Sequence, residues 1–130
     1  MDATQALADL TEISSQIVHA TIVDGDGSVL ATTIAAESVS RSFANGVTKL
    51  VEEAGQAGSS RGLVGLAQFE AATLEGSVFV VRRGARVIAA TTRPDPTVGL
   101  VFYDLKHCLQ SIDEAPKRAS RARKKIDGEA

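Results

Sequence analysis

The fold of this chain is decided by residues 77–92, which read SVFVVRRGARVIAATT. Residues 77–81 form a nearly continuous apolar run, which is typical of a strand in the interior of a sheet. Residues 82–85 contain a glycine and predict a tight turn. Residues 86–92 are rich in Val, Ile and Thr and predict another strand. Because so short a connection cannot cross over a sheet, we expect the two strands to be antiparallel.

The preceding residues extend this hairpin into a three-stranded meander. Residues 63–74 are mostly apolar, with Gln68 and Glu70 embedded, and predict one long strand. Glu75 and Gly76 supply the turn that follows it. Three strands joined by short turns make an antiparallel arrangement.

A long amphipathic helix is predicted over residues 38–57, ahead of the meander. Its apolar side chains recur every three or four residues and form one stripe: Val39, Phe43, Val47, Leu50 and Ala54. Gly46 lies beside that stripe, where glycine costs up to about 1 kcal/mol relative to alanine. Close approach of another element would compensate for this cost. Glycines and serines in residues 55–62 then end the helix in a flexible loop.

The N-terminal part predicts a shorter helix and a hairpin. Residues 3–17 carry apolar side chains at helical spacing, namely Leu7, Leu10, Ile13 and Ile17. Asp2 or Thr4 is available as the N-cap of this helix. Residues 17–23 and 28–34 are β-prone runs that flank the tetrapeptide Asp-Gly-Asp-Gly. Such a tetrapeptide between two β-prone runs favours a hairpin turn.

A final helix is predicted after the meander, with Asp95 as its N-cap and Pro96 in its first position. Its expected buried stripe has six members: Val98, Val101, Leu105, Cys108, Leu109 and Ile112. The apolar period ends near residue 113, so we expect one domain over 1–113. Residues 114–130 form a basic tail that is predicted to be disordered. The net charge is −5 over residues 1–113 and +3 over the tail.

Composition excludes several classes of protein. The single cysteine, Cys108, excludes an intramolecular disulfide and a metal site with several cysteines. No apolar run approaches the ~20 residues that a membrane span requires, and no signal peptide is visible. We therefore expect a cytoplasmic protein. Tryptophan is absent and aromatic residues are scarce, which argues against stacking on single-stranded nucleic acid.

No motif predicts a catalytic, metal or cofactor site. Residues 24–27 resemble the start of a calcium loop, but the later oxygen ligands are missing, so the hairpin turn is favoured. Residues 55–62 lack the Gly-Lys-Ser/Thr ending of a phosphate loop. His19 and His107 have no partner at metal-ligand spacing. Four arginines are expected near one end of the meander: Arg82, Arg83, Arg86 and Arg93. We favour a solvated turn over an arginine finger for a GTPase.

Five segments together resemble the roadblock (dynein light-chain) family. They are IVDGDGSVLA at 22–31, the helix at 38–57, LEGSVFVV at 74–81, VIAATT at 87–92 and VGLV at 98–101. The resemblance covers roughly residues 5–112 and rests on the order and spacing of these segments. It implies an α+β fold of order α-β-β-α-β-β-β-α, also called profilin-like. A five-stranded antiparallel sheet would carry the long helix on one face and the other two helices on the opposite face.

The resemblance also implies a function. Such domains dimerise through the third strand and the long helix, and bacterial members act beside Ras-like small GTPases without supplying a catalytic residue. We therefore expect a non-enzymatic homodimeric regulatory or scaffold module that binds a small GTPase. The third strand would be a sheet edge, and a long apolar edge left bare invites aggregation unless it is paired. The expected interface residues are Val39, Phe43, Gly46, Val47, Leu50, Leu66, Gln68 and Glu70.

Two other functions remain open at this point. One is a purely structural scaffold subunit, as a homodimer or as a heterodimer with a paralogue. The other is a small-ligand sensory domain of the profilin-like or PAS-like kind, which would need a cavity between helix and sheet. The Ala-, Val- and Leu-rich stripes favour a filled core instead. The basic tail is a candidate for contact with an anionic membrane or an acidic protein face, and we expect no specific nucleic-acid binding.

Overall fold

The computed structural model describes residues 1–112. In chain order, the elements are α1 (Ala3–Ile13), β1 (Ile17–Val23), β2 (Val29–Thr32), α2 (Glu37–Ser59), β3 (Gln68–Ala72), β4 (Ser77–Arg83) and β5 (Arg86–Thr92). A last helix, α3, begins at residue 98 and continues to residue 112. Asp113 and the basic tail 114–130 lie outside the described residues.

All five strands join one antiparallel sheet in the order β2-β1-β5-β4-β3. The predicted element order is therefore confirmed, and β3 is an edge strand as expected. The hairpin of residues 77–92 lies in the interior of this sheet, because β5 pairs with β4 on one side and with β1 on the other. Its strand 86–92 is observed with the predicted bounds.

The turn between β1 and β2 is the predicted hairpin turn. The Asp24 N–H donates to the Ser28 carbonyl oxygen at 2.9 Å, and Gly27 has a φ of +87°, a region that favours glycine. The Asp26 carboxylate accepts hydrogen bonds from the Ser28 hydroxyl at 2.6 Å and from the Ser28 N–H at 2.9 Å. These bonds lower the pKa of Asp26, the Ser28 hydroxyl contributing most.

α1 and α3 cover one face of the sheet, which we call the closed face. Here alternate strand residues such as Ile22, Phe79 and Ile88 pack against helix residues such as Leu10 and Leu105. The predicted stripe of the last helix is buried in this cluster from Val101 onward. The Phe79 and Phe102 rings meet edge to face at a centroid distance of 5.0 Å, which tightens the packing.

Among the helices of residues 1–112, only α2 covers the other face, which we call the open face. The buried cluster here has six members: Val23, Ala44, Val47, Val80, Val87 and Ala89. Phe43, Val51, Phe69 and Val78 pack around it but stay partly exposed. The long helix is confirmed, with a slightly longer span than predicted. None of the helices in residues 1–112 is long and apolar enough to cross a membrane.

The first helix ends earlier than predicted. Ser14 is already extended, with φ −107° and ψ 110°, and its N–H closes the helix on the Leu10 carbonyl oxygen at 2.9 Å. Ile13 is exposed, and Ile17 belongs to β1, where it pairs with Thr92. Strand pairing with β5 therefore outweighs the helical spacing of these two isoleucines. Asp2 is the N-cap, because its carboxylate accepts the Gln5 N–H at 2.8 Å.

The predicted strand 63–74 is wrong in its length, because β3 starts only at Gln68. Gly62 and Gly65 have φ values of +81° and +77°, which interrupt an extended chain. Leu63 and Val64 are consequently exposed ahead of the strand. At the other end, Gly76 makes the tight turn, since a Cβ there would collide with the Thr92 carbonyl oxygen.

The predicted start of the last helix is also wrong. The Thr97 carbonyl oxygen accepts the N–H groups of Leu100 and Val101, both at 3.1 Å, so the helix begins just after Thr97. Asp95 has a φ of +58° and lies in a turn before it. The Thr97 N–H donates to the Gln16 side-chain oxygen at 2.6 Å, which ties this start to the α1–β1 connection. Val98, predicted to be buried, is exposed.

Candidate interaction surface on the long helix and the edge strand

The long helix buries fewer of its apolar side chains than its length would allow. Only Ser40, Ala44 and Val47 are fully buried along its 23 residues. Val39 is 54% exposed and Leu50 is 42% exposed, with the half-buried Phe43 between them. These three side chains form an apolar row along one flank of α2, because steps of four and seven residues return to the same side of a helix. We call it the α2 row.

Gly46 lies next to the α2 row. A Cβ placed on Gly46 would meet no atom within 4 Å, so the packing of this chain does not require glycine there. A glycine in a helix interior costs about 1 kcal/mol relative to alanine. The surface at Gly46 is therefore flat and open, and the described chain places nothing over it.

β3 presents an unpaired edge beside this helix. It pairs with β4 on one side, and no strand within residues 1–112 pairs with its other side. Phe69 lies opposite Val80, on the open face, and packs in the same cluster as Phe43. The free edge of β3 and the α2 row therefore belong to the same side of the molecule.

The predicted interface residues are placed in three different ways. Val39, Gly46 and Leu50 are exposed on α2, and Phe43 is half-buried. Val47 is only 3% exposed and belongs to the core of the open face, so it packs between α2 and the sheet.

Of the three predicted strand positions, Gln68 and Glu70 lie on the edge strand β3 as expected, and Leu66 does not. Leu66 comes before β3 and lines a groove with the C-terminal part of α2. Gln68 pairs with Val81 and Glu70 with Phe79, and these partners point to the closed face. Both side chains therefore lie on the face opposite α2, because residues directly opposite each other on paired strands point to the same face of a sheet.

Phe69 is the residue of this surface that sequence reasoning missed. It is half-buried, and it joins the edge strand to the long helix on the open face. Alternate side chains of β3 face α2, so this residue could be identified only if the register of β3 on β4 were known. With the predicted strand spanning 63–74, that register was not determined by the sequence.

The remaining candidate side chains do not form a chemical centre. The His19 Nδ1 lies 3.4 Å from the Thr33 hydroxyl oxygen. The His107 and Tyr103 rings stack on the surface of α3 with a centroid distance of 6.0 Å. No group of three His, Cys, Asp or Glu side chains within residues 1–112 could hold a metal ion.

The expected cluster of four arginines is wrong in one member. Arg82, Arg83 and Arg86 surround the β4–β5 turn, while Arg93 follows the opposite end of β5. Burial raises the pKa of the Cys108 thiol to about 12, and its S–H faces the Ala6 carbonyl oxygen at 3.5 Å, which makes it a core residue.

Comparison with solved structures identifies the fold. A Roadblock/LC7 domain from Streptomyces avermitilis superposes with a TM-score of 0.77 at 15% identity, over 87% of this chain and 96% of that chain. Myxococcus xanthus MglB superposes with a TM-score of 0.68 at 16% identity, over 87% of this chain and 85% of that chain. A gliding protein MglB from Thermus thermophilus gives a TM-score of 0.72 at 14% identity, covering 85% and 84% of the two chains.

At these identities the similarity establishes the fold, which is the roadblock fold. The resemblance drawn from the five sequence segments is therefore confirmed at the level of three-dimensional structure. No protein-family model matches the sequence, and no curated protein matches it either.

Proposed function

We propose that this roadblock-fold domain is a non-enzymatic homodimeric module of the cytoplasm that binds a Ras-like small GTPase and regulates its nucleotide state or its location. The observation that carries the proposal is the free edge of β3 beside the α2 row. Both features lie on one side of the molecule, and both lack a partner within the described chain.

The edge strand supports the dimer through its backbone. Only five residues long, β3 carries one charged side chain, Glu70, and no proline that would block a further strand. The unpaired N–H and C=O groups along this edge are a template on which another strand can pair. A second copy related by a two-fold axis would join two five-stranded sheets into one through an isologous interface.

The α2 row supports the dimer through its side chains. Val39, Phe43 and Leu50 would bury their exposed apolar surface against the same residues of a second copy. Each square ångström of apolar surface removed from water contributes about 25 cal/mol. Gly46 would let the two helix backbones approach closely, which compensates for its unfavourable helix propensity.

The GTPase is proposed from the roadblock fold together with this geometry. Two long helices side by side would make a broad platform on the open face. The platform carries exposed charged side chains such as Lys49 on α2. Because the module would supply no catalytic residue, its effect would come from favouring one conformation of the GTPase's own loops.

Leu50→Asp tests the dimer. A carboxylate at position 50 places two like charges against each other at the proposed axis, and we expect the dimer mass to fall to that of a monomer. Asn45→Asp is the matched control, because it adds the same charge about 140° around the same helix. Light scattering after size-exclusion chromatography measures both. A monomeric parent protein, or equal masses for both variants, would contradict the dimer interface.

Affinity capture tests the GTPase. The parent protein and the Leu50→Asp variant would be used as bait in a native cell extract containing either GDP or a non-hydrolysable GTP analogue. We expect one small GTPase to be retained by the parent in one nucleotide state and to be lost with the variant. Absence of a small GTPase in every lane, with an intact dimer, would leave a structural scaffold as the function.

A further inference from the structure

A cavity of about 320 Å³ lies between α2 and the sheet, on the flank of the helix away from the α2 row. Four valines form its apolar lining: Val23, Val47, Val51 and Val87. The turns after β1 and β4 close its end. This contrasts with the filled core that the sequence predicted for this layer, and the volume is within the range of small-molecule sites.

The cavity exists because the residues around it are small. The two hairpin turns touch at Gly25, where a Cβ would lie 3.1 Å from the Ala85 Cβ. The first turn also approaches α2 at Gly27, where a Cβ would lie 3.8 Å from the Thr48 hydroxyl. Glycine and alanine bring these elements together at their edges, but they provide no side chain long enough to fill the space between them.

Three charged side chains line the mouth of this cavity: Asp24, Glu52 and Arg82. The Asp24 carboxylate accepts the Gly25 N–H at 2.8 Å, and the Arg82 Nε donates to the Gly84 carbonyl oxygen at 3.2 Å. Local backbone bonds therefore orient both. Glu52 forms no hydrogen bond or ion pair with any of residues 1–112, so its carboxylate is available at the mouth.

We propose that this cavity binds a small branched aliphatic molecule that carries an ammonium group. The valine lining would take the aliphatic part, and Glu52 and Asp24 would accept charge-assisted hydrogen bonds from the ammonium group. Two carboxylates against one guanidinium leave the mouth with a net negative charge, which favours a cation over an anion. Arg82 is placed to hold a carboxylate where the ligand is an amino acid.

This proposal does not depend on the dimer or on a GTPase partner. Glu52 is two residues from Leu50, which puts it about 200° around the helix from the α2 row. A ligand at this mouth would therefore leave the proposed dimer surface uncovered.

The test is titration of the full chain with 3-methylbutylamine by ligand-detected NMR, with 3-methylbutanoate as the same skeleton carrying the opposite charge. We expect saturable binding of the amine and none of the carboxylate. Glu52→Gln is expected to weaken amine binding about tenfold, because it removes a charged hydrogen-bond acceptor. Glu53→Gln, the same change one residue further along the helix, is expected to leave the affinity unchanged.

A second variant and a second ligand sharpen the test. Val51→Phe fills the cavity, and we expect it to abolish binding while the far-ultraviolet circular dichroism spectrum stays unchanged. L-Leucine carries an ammonium group on a branched aliphatic skeleton and should also bind. We expect Glu52→Gln to weaken its binding as much as that of the amine. The proposal is overturned by the absence of saturable amine binding, by equal affinities for amine and carboxylate, or by equal effects of the two Glu→Gln variants.

Discussion

The two faces of the sheet are built from similar strands but are covered to different degrees. On the closed face, α1 and α3 bury a cluster that includes Phe79 and Leu105 without any exposed surface. On the open face, α2 buries a much smaller cluster, and Phe43 and Phe69 remain half-buried at its margin. Within residues 1–112, one face is largely covered by its own helices, whereas the other keeps apolar surface and a cavity.

The number of helices explains the difference. One helix is about 10 Å wide with its side chains, which is the separation of only about two strands. A single helix therefore cannot cover five strands, and the edge strand β3 and the turns beyond β1 stay at the margin of α2. The closed face has two helices side by side and is covered more completely, although Glu70 at its edge stays exposed.

The largest expected effect separates the buried and exposed sides of α2. Val47→Asp would place an unpaired carboxylate in the core of the open face, and we expect the domain to lose its cooperative unfolding transition. Leu50→Asp, three residues later, is expected to retain the fold because its side chain reaches solvent in the monomer. Thermal unfolding followed by circular dichroism measures both. A folded Val47→Asp would show that this face has no firm core.

Next in size is the difference between the two faces when a phenylalanine is truncated. Phe79→Ala removes a fully buried ring from the closed face and is expected to cost about 3–5 kcal/mol. Phe43→Ala removes a half-buried ring from the open face, and we expect a loss of about 1.5 kcal/mol in the monomeric Leu50→Asp background. Urea unfolding supplies both values. Equal losses would contradict the distinction between the faces.

A smaller effect concerns the Cys108 thiol on the closed face. Its pKa rises to about 12 from an ordinary value near 9.0, mainly because burial disfavours the thiolate. As the pH rises, the thiol therefore loses its proton at a lower pH in the unfolded chain than in the folded chain. The stability that the thiol contributes is complete below about pH 9 and is lost as the pH rises toward 12.

Cys108→Ala isolates this contribution. We expect the parent protein to lose up to about 1 kcal/mol more than the variant between pH 8 and pH 10, as urea unfolding at the two pH values would measure. The same burial predicts that a disulfide reagent labels the folded thiol at least about tenfold more slowly than the unfolded one. Rapid labelling of the folded protein at pH 8 would contradict the burial of this side chain.

The smallest expected effect compares how the helices of the two faces begin. α1 has a side-chain cap at Asp2, whereas α2 begins after Ala36, which offers none. Asp2→Ala should therefore destabilise the domain by about 1 kcal/mol, and Ala36→Asp should stabilise it by a similar amount. Midpoints of urea unfolding are the measurement. A destabilising Ala36→Asp would mean that this start is constrained by contacts other than the missing cap.

The sequence was sufficient to predict much of the closed face, although not the ends of its two helices. The periodicity of Val101, Leu105 and Leu109 predicted a buried helix face, and the β5 strand was predicted with its observed bounds. Errors occurred where two local signals competed. Ile13 and Ile17 follow helical spacing, but pairing of Ile17 with Thr92 draws the chain into a strand.

The proposed interaction surface was less predictable for a physical reason. The predicted stripe of α2 is continuous in sequence, yet only Val47 in it is fully buried, whereas Val39 and Leu50 are exposed. A stripe of apolar residues predicts that a helix face will be covered, but it does not say whether the cover comes from the same chain. The faces of Gln68 and Glu70 likewise depend on the register with which β3 pairs with β4, in which Ala72 lies opposite Ser77.

By itself, the sequence determined the order of helices and strands and the single antiparallel sheet, because apolar periodicity and turn residues act over a few neighbouring positions. The tertiary structure alone decided which flank of α2 stays exposed, where β3 begins, and that a cavity remains beside Glu52. Each of these depends on how residues far apart in the chain meet in space. The pairing of Gln68 with Val81 and the contact of Gly25 with Ala85 are two examples.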